Sequence, residues 1–144
     1  MDLQKFSQLL YQVKLVDQQI TKNFENQVGF SLTRYALLIF LRKTCPCSQH
    51  QIKDALGIDN AAITRHLKVL EENGYVVRKR NEANNREVFV SLTEQAVEEL
   101  DHCEQEYQAK ESNNLNLLTD VEMNQLLNLL NKLDLQLSKG DKIV

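Results

Sequence analysis

The stretch SQHQIKDALGIDNAAITRHLKVLEENGYVVRKRNEANNREVFVSLT (residues 48–93) decides the fold, because two helix patterns in it are followed by two strand patterns. Ser48 and Gln51 have the spacing of a capping box, which begins a helix that Gly57 ends. Asp59 is a good N-cap for the next helix, whose apolar residues recur at intervals of three and four. The predicted helices cover about residues 48–56 and 59–73.

The second half of this stretch predicts a β-hairpin. Residues 75–80 form one strand pattern, and residues 87–92 alternate apolar and polar side chains, as a strand with one buried face does. The link at 81–86 is polar and rich in Asn, which favours a turn. Two short helices and a hairpin, with its wing at about 75–92, make a winged helix-turn-helix. The predicted fold class is therefore mainly α (α+β).

Long helical patterns flank this unit on both sides. Apolar residues recur every three or four positions over residues 3–28, and an apolar helix capped by Ser31 or Thr33 follows. A polar connecting helix is predicted after the hairpin, at 94–111. The last helix is rich in leucine over residues 115–137. So many leucines on a terminal helix exceed what one small core requires.

Charge is distributed unevenly along the chain. The whole chain has 17 Lys and Arg against 20 Asp and Glu, for a net charge of −3. Residues 34–86 nevertheless hold ten basic and only five acidic residues. A basic middle inside an acidic chain indicates a local anionic partner.

The composition excludes several classes of protein. With 144 residues the chain is about one domain long. No apolar run approaches the roughly 18 to 20 residues that cross a bilayer, and residues 1–5 lack the build of a signal peptide. Three cysteines, an odd and small number, argue against a disulfide scaffold and fit a reducing compartment. We therefore expect a cytoplasmic protein with no membrane partner.

The helix at 59–73 has the character of a DNA-reading helix. A B-form major groove admits one helix, and small residues near its N-terminus allow close approach to base edges. The basic strand and the hairpin tip would contact flanking backbone or minor groove, and the N-terminus of the first helix would offer backbone donors to a phosphate. The predicted DNA-binding residues are Ser48, Gln49, Asn60, Ala61, Ala62, Thr64, Arg65, Lys68, Arg78, Lys79, Arg80 and Arg86.

Residues 48–93 resemble the winged helix of the MarR (multiple antibiotic resistance regulator) family. The resemblance rests on the order and spacing of these pieces: Ser48-Gln49, Ala55-Leu56-Gly57-Ile58, Ala61-Ala62-Ile63-Thr64-Arg65, Leu70 to Val76, Arg80, Asn85-Arg86 and Val90 to Thr93. Asn84 stands where the family usually has an Asp that braces the wing-tip Arg. An Asn offers a neutral hydrogen bond instead of a charged one, and Asn84 joins the predicted DNA-binding residues.

The resemblance implies a homodimeric transcriptional regulator, most readily a repressor. Its dimerisation region would be helical, at 1–30 with 112–144, and its winged helix-turn-helix and connecting helix would occupy 31–111, in one structural unit. Two DNA-reading helices about one DNA turn apart would bind a pseudo-palindromic operator. In this family a small ligand or thiol oxidation releases the DNA, so a small-molecule effector of unspecified identity is a further expected partner.

Two groups of residues allow sharper hypotheses. Cys45 and Cys47 flank the only proline, and oxidation there would tilt the helices that follow; the alternative is two loop cysteines without a role. Glu99, His102, Cys103 and Glu106 share helical spacing, but no metal-binding motif supports them. We predict no metal site and no cofactor.

An enzyme and a protein-binding module are the competing functions. The sequence has no Gly-rich phosphate loop, no nucleophile elbow and no paired carboxylates in a recognisable context, so it predicts no enzyme. The alternative to DNA binding is a winged-helix module that binds protein. Such a module would present an acidic or apolar face, whereas Thr64, Arg65 and Lys68 make this face polar and basic.

Overall fold

A computed structural model describes residues 2–44, 46–84, 86–110 and 117–141, with side chains as far as residue 134. The chain divides into two compact units, one ending at residue 111 and the other beginning at 112. The elements of the first are α1 (Leu3–Val28), α2 (Leu32–Thr44), β1 (Cys47–Ser48), α3 (Gln49–Leu56), α4 (Asn60–Glu72), β2 (Val76–Arg80), β3 (Val88–Leu92) and α5 (Glu94–Ala109). The second contains α6 (Asp120–Asp141). The mainly α winged helix-turn-helix is confirmed.

Local capping explains where these helices begin and end. The Ser31 hydroxyl accepts a hydrogen bond from the backbone N–H of Arg34, so Ser31 begins α2. Ser48 and Gln51 form both hydrogen bonds of the predicted capping box at α3. Gly57 ends α3 with a φ of +66°, which glycine adopts without steric cost. These contacts lie within a few residues of one another, which is why the sequence predicts them.

The sheet has one more strand than the sequence predicts. Its order is β1-β3-β2 and all pairs are antiparallel. In the register, Cys47 lies opposite Val90, and Lys79 lies opposite Phe89. The added strand β1 is two residues long, too short to show any alternation in sequence. It joins the start of α3 to the wing.

The core of the first unit forms around α2. Leu37, Leu38 and Leu41 of α2 are completely buried. The inner faces of α3 and α4, the sheet and α5 pack in the same cluster, through Ile52, Ile63, Leu67, Leu70, Val76, Val90 and Leu100. Burial of Ile63, Leu67 and Leu70 turns the opposite face of α4 to solvent.

The connecting helix α5 is joined to the rest of the first unit by polar contacts. Its N-cap Thr93 donates its hydroxyl proton to the carbonyl of Gly74 at 2.7 Å. The hydroxyl of Tyr75 donates to Glu99 at 2.7 Å, and this bond, together with burial and the charge of Glu99, raises the pKa of Tyr75 to about 12. Arg42 of α2 forms ion pairs with Asp101 and Glu104. The helix ends at Ala109, where the sequence predicts residue 111.

Two helices expose apolar side chains. Helix α1 has no buried residue, and Leu9, Leu10 and Ile20 are 44 to 48% exposed. In the second unit, α6 follows Thr119, whose hydroxyl accepts from the backbone N–H of Glu122. The exposed apolar side chains of α6 include Val121, Met123, Leu126, Leu127, Leu129 and Leu130.

Candidate nucleic-acid interface

Helix α4 presents a polar and basic face at the surface of the first unit. Asp59 caps the helix by accepting a hydrogen bond from the backbone N–H of Ala62 at 2.7 Å. The predicted contact residues Asn60, Ala61, Thr64, Arg65 and Lys68 are all exposed, and Ala62 is half-buried. The structure therefore brings the five exposed residues together on one solvent-facing side of the helix, with Ala62 outside that side.

Helix α3 contributes Gln49 to the same surface. The amide nitrogen of Gln49 donates a hydrogen bond to the Thr64 hydroxyl at 3.0 Å. The Thr64 hydroxyl in turn donates to the carbonyl of Asn60 at 2.8 Å, within α4. These two bonds connect side chains from both helices of the helix-turn-helix.

Ser48 lies behind this surface. It is 4% exposed, its hydroxyl accepts from the backbone N–H of Gln51, and its own N–H donates to the Gln51 side chain. The hydroxyl and the N–H of Ser48 are thus both engaged in the capping box. Ser48 sets the position of Gln49 and of the first turn of α3.

The basic residues of strand β2 are not brought together as one patch. Successive side chains of a strand point to opposite faces. Arg78 and Arg80 share a face with the buried Val76, whereas the exposed Lys79 lies on the other face with Val77. A groove of about 610 Å³ lies on that second face, lined by Pro46, Val77, Lys79, Phe89 and Ser91.

Arg78 is bound to the end of α4. Its Nε is 3.2 Å from Oε2 of Glu71, and its Nη2 is 3.1 Å from Oε1 of the same carboxylate. This bidentate pair raises the pKa of Arg78 and lowers the pKa of Glu71. Glu71 is not among the residues that the sequence predicts for this interface, because its partner lies on a different element.

The wing tip is shaped by asparagines. The side-chain carbonyl of Asn84 accepts from the backbone N–H of Arg86 at 3.2 Å. The side-chain carbonyl of Asn81 accepts from the N–H of Ala83 at 3.0 Å. Arg86 is exposed at this tip. Asn84 therefore braces the backbone of Arg86, and Asn85 lies outside the described residues.

His66 and Arg34 connect α4 to α2. Nε of Arg34 donates a hydrogen bond to Nδ1 of the half-buried His66 at 3.4 Å. Burial lowers the pKa of His66, and the positive charges of Arg34 and Arg65 lower it further. Because a protonated Nδ1 cannot accept a hydrogen bond, this contact requires a neutral imidazole. The two residues are 32 positions apart, so no local sequence signal indicates the contact.

The two cysteines that the structure describes, Cys47 and Cys103, lie on elements other than α4. Cys47 is 3% exposed in strand β1, and Cys45 lies outside the described residues. The thiol of Cys103 on α5 donates to the carbonyl of Val28 at 3.7 Å. Burial and the neighbouring Glu106, Glu99 and Glu104 raise the pKa of Cys103, which keeps this thiol protonated.

The described residues show no cluster of metal ligands. His102 pairs with Glu106 at 3.1 Å, and Glu99 accepts from Tyr75. In the part of the chain that the structure describes, no three His, Cys, Asp or Glu side chains are placed to hold a metal ion. Across the same residues, no helix is both long and apolar enough to span a membrane.

A cavity of about 300 Å³ lies between α1, α2 and α5. The rings of Phe24 and Tyr35 meet edge to face there, with centroids 5.4 Å apart. Burial and the negative charge of Glu104 raise the pKa of Tyr35. The cavity is lined by Phe24, Val28, Tyr35, Cys103, Glu104, Tyr107 and Gln108.

The chain is similar to known bacterial proteins in sequence and in fold. Residues 30–88 match the model of the MarR family. The HTH-type transcriptional regulator YdgJ of Bacillus subtilis (strain 168) is 38% identical over 100 residues, which cover 69% of this chain and 61% of YdgJ. This chain thus spans less than two thirds of the length of that relative.

Solved structures show the same fold. A probable transcriptional regulator from Pseudomonas aeruginosa superposes with a TM-score of 0.76 and 26% identity, over 88% of this chain and 96% of that one. A mutant MarR from E. coli, complexed with operator DNA, also has a TM-score of 0.76, with 24% identity over 92% of this chain and 99% of that one. The helix-turn-helix, the wing and these matches together identify residues 30–88 of this chain as a MarR-family winged helix-turn-helix domain.

Proposed function

We propose that this chain is a transcriptional regulator that binds double-stranded DNA in a sequence-specific manner. The observation that carries the proposal is the exposed polar and basic face of α4, in a winged helix-turn-helix whose wing tip also exposes an arginine. A protein-binding winged helix would instead present an acidic or apolar face there. The function is binding and not catalysis, in the cytoplasm, and it requires no cofactor.

The residues of the interface divide into three roles. One group faces base edges, because its members lie in the N-terminal half of α4 or bridge to it. This group consists of Asn60, Ala61, Ala62, Thr64, Arg65 and Gln49. Lys68, Lys79, Arg80 and Arg86 contact the phosphate backbone or the minor groove. Ser48, Arg78 and Asn84 position the others, through Gln51, Glu71 and the backbone of Arg86 respectively.

We propose a homodimer formed through the long terminal helices. The support is the set of apolar side chains that α1 and α6, each taken alone, leave exposed to solvent. Covering them with a second copy would remove apolar surface from water. A two-fold dimer would place two α4 helices in successive major grooves, so the operator should be a pseudo-palindrome.

A small ligand or thiol oxidation would release the protein from DNA and so end repression. The cavity between α1, α2 and α5 supports the first route, since it is largely apolar and lies beside the core helix α2. Oxidation at Cys45 or Cys47 is the second route. Because Cys47 is buried, an oxidant would reach it only when β1 opens.

Fluorescence anisotropy of the reduced protein on duplex DNA from its own upstream region tests the proposal. A scrambled duplex and a salt series serve as controls. We expect tighter binding to the upstream duplex, with an affinity that falls steeply as salt rises. An absence of binding to either duplex at low salt would overturn the proposal and favour the protein-binding alternative.

A further inference from the structure

We propose that Gln49 and Thr64 act as one base-reading unit across the two helices of the helix-turn-helix, and that the Gln49 amide specifies an adenine in the operator. The inference rests on the proposed DNA-binding function and adds to it a base and the residue that reads it. The two side chains are 15 positions apart in sequence and are joined directly on the exposed side of α3 and α4.

The hydrogen bonds determine which way the Gln49 amide faces. A threonine hydroxyl has one proton to donate, and Thr64 donates it to the carbonyl of Asn60 at 2.8 Å. Toward Gln49 the hydroxyl is therefore only an acceptor. The hydroxyl therefore accepts a hydrogen bond from the amide nitrogen of Gln49, at 3.0 Å, and the amide oxygen must point elsewhere. Thr64 thus fixes the orientation of the amide before DNA arrives.

The fixed amide retains one donor and one acceptor. A glutamine amide has two N–H groups and an oxygen, and the bond to Thr64 uses one N–H. Among the described residues, the Gln49 oxygen accepts no hydrogen bond. An adjacent N–H and C=O is the pattern that pairs with N7 and the N6 amino group of adenine in the major groove. The neighbouring Ala61 and Asn60 are small and exposed, which leaves room for the base edge.

The neutral charge of this pair gives it a distinctive signature. Phosphate contacts by Lys or Arg release counterions and set the slope of affinity against salt. An amide that reads a base contributes to sequence preference and not to that slope. Losing the pair should therefore relax the preference for one base while the salt slope stays as in the wild type.

Selection from a randomised duplex library tests the inference with the full chain. We expect the wild type to enrich an adenine at one position of each half-site. Gln49→Ala should lose that preference, and Thr64→Val, which keeps the shape and removes the acceptor, should weaken it. Thr64→Ser keeps a hydroxyl and should retain the preference for adenine. Gln105→Ala, at an exposed glutamine on α5, is the matched control and should select the wild-type site.

A modified base supplies a second test, whose main measurement uses the wild-type protein. Replacing the selected adenine by 7-deazaadenine removes the N7 acceptor. Wild-type affinity should fall severalfold, because one of the two hydrogen bonds of the bidentate contact is lost, and the affinity of Gln49→Ala should not change. An unchanged adenine preference in Gln49→Ala would overturn the inference while leaving DNA binding in place. A wild type that enriches no sequence would overturn the proposed function itself.

Discussion

The guanidinium of Arg78 binds both carboxylate oxygens of Glu71, which ties strand β2 of the wing to the last turns of α4. A planar guanidinium and a carboxylate match in this geometry, so the pair restricts both distance and angle. Arg78 is part of the basic run that the sequence assigns to DNA. Its contact with Glu71 supports a positioning role, in which the arginine orients the helix that reads bases.

Substitution of Glu71 distinguishes the two roles of Arg78. If Arg78 positions α4, both Glu71→Ala and Arg78→Ala should weaken binding to a specific duplex severalfold, because α4 loses its link to the wing. Anisotropy titrations of the two variants and the double mutant would measure this. Glu72→Ala, which removes an equal charge from the same helix, is the control. Tighter binding by Glu71→Ala alone would show that Arg78, once freed, binds phosphate.

Substitutions of Arg65 and of Arg86 should weaken DNA binding in different ways. Arg65→Ala should cost roughly 1 to 3 kcal/mol on the specific duplex if it reads a base, with little loss on a scrambled one. Arg86→Ala should weaken all duplexes alike and reduce the salt slope by about 1. Titrations at several salt concentrations measure both effects. Lys110→Ala, at the end of α5, is the control, and equal behaviour of the two arginine variants would contradict this assignment.

The contact between Arg34 and His66 should make stability depend on pH. The folded state lowers the pKa of His66, so the unfolded chain binds a proton more readily near its ordinary value of about 6.5. The stability that His66 contributes is therefore present above about pH 6.5 and is lost as pH falls toward the folded pKa. NMR titration of the imidazole should give a pKa below 6.5.

Two variants check the origin of that pH dependence. Arg34→Ala should raise the pKa of His66, because it removes one of the positive charges that oppose protonation. His66→Gln should flatten the dependence of unfolding free energy on pH, measured by urea denaturation between pH 5 and 8. If Arg34→Ala leaves the pKa of His66 unchanged, burial and Arg65 set the shift without Arg34.

Charges placed on α6 should disrupt the proposed homodimer. Leu126→Glu combined with Leu130→Glu would put carboxylates on a helix whose apolar side chains are exposed in the single chain. We expect a monomer by analytical ultracentrifugation and a strong loss of affinity for a two-half-site duplex. Val97→Glu alters a comparably exposed apolar residue on α5 and should remain dimeric. A dimer that survives the α6 substitutions would place the interface elsewhere.

Thiol oxidation should act through the cysteines beside Pro46 and not through Cys103. Hydrogen peroxide should lower the DNA affinity of the wild type, and Cys45→Ser with Cys47→Ala should abolish that response. Cys103→Ser should respond like the wild type, since Glu106 and burial keep the Cys103 thiol protonated and unreactive. An oxidant response that persists in the double variant and disappears in Cys103→Ser would reverse the assignment.

The features that the sequence predicts are those set by near neighbours. The capping box of Ser48 with Gln51, the N-cap Asp59 and the buried spacing of Ile63 and Leu67 all depend on residues within one or two helical turns. The exposed face of α4 follows from the same spacing. The predicted helix-turn-helix and wing therefore appear in the structure with boundaries shifted by one or two residues.

Contacts between elements are what sequence patterns do not indicate. Glu71 with Arg78, Gln49 with Thr64 and Arg34 with His66 each join side chains that meet only after the core has formed. Strand β1 is likewise defined only by its partner β3. The sequence shows that residues 78–80 are basic. It does not show that Lys79 lies on the opposite face of the strand from Arg78 and Arg80, or that Arg78 binds the carboxylate of Glu71.

Strand β1 has a mechanical consequence. Because Ser48 pairs with Phe89 of the wing and also caps α3, the first DNA-facing helix and the hairpin share one hydrogen-bonded sheet. Arg78 anchors α4 to the same sheet from its other edge. The wing is therefore coupled to α3 and α4. We expect these elements, called the head here, to move as one rigid body. In the proposed homodimer, we therefore expect a ligand to act by changing the distance between the two heads, whereas oxidation of the buried Cys47 would first have to open β1 within one head.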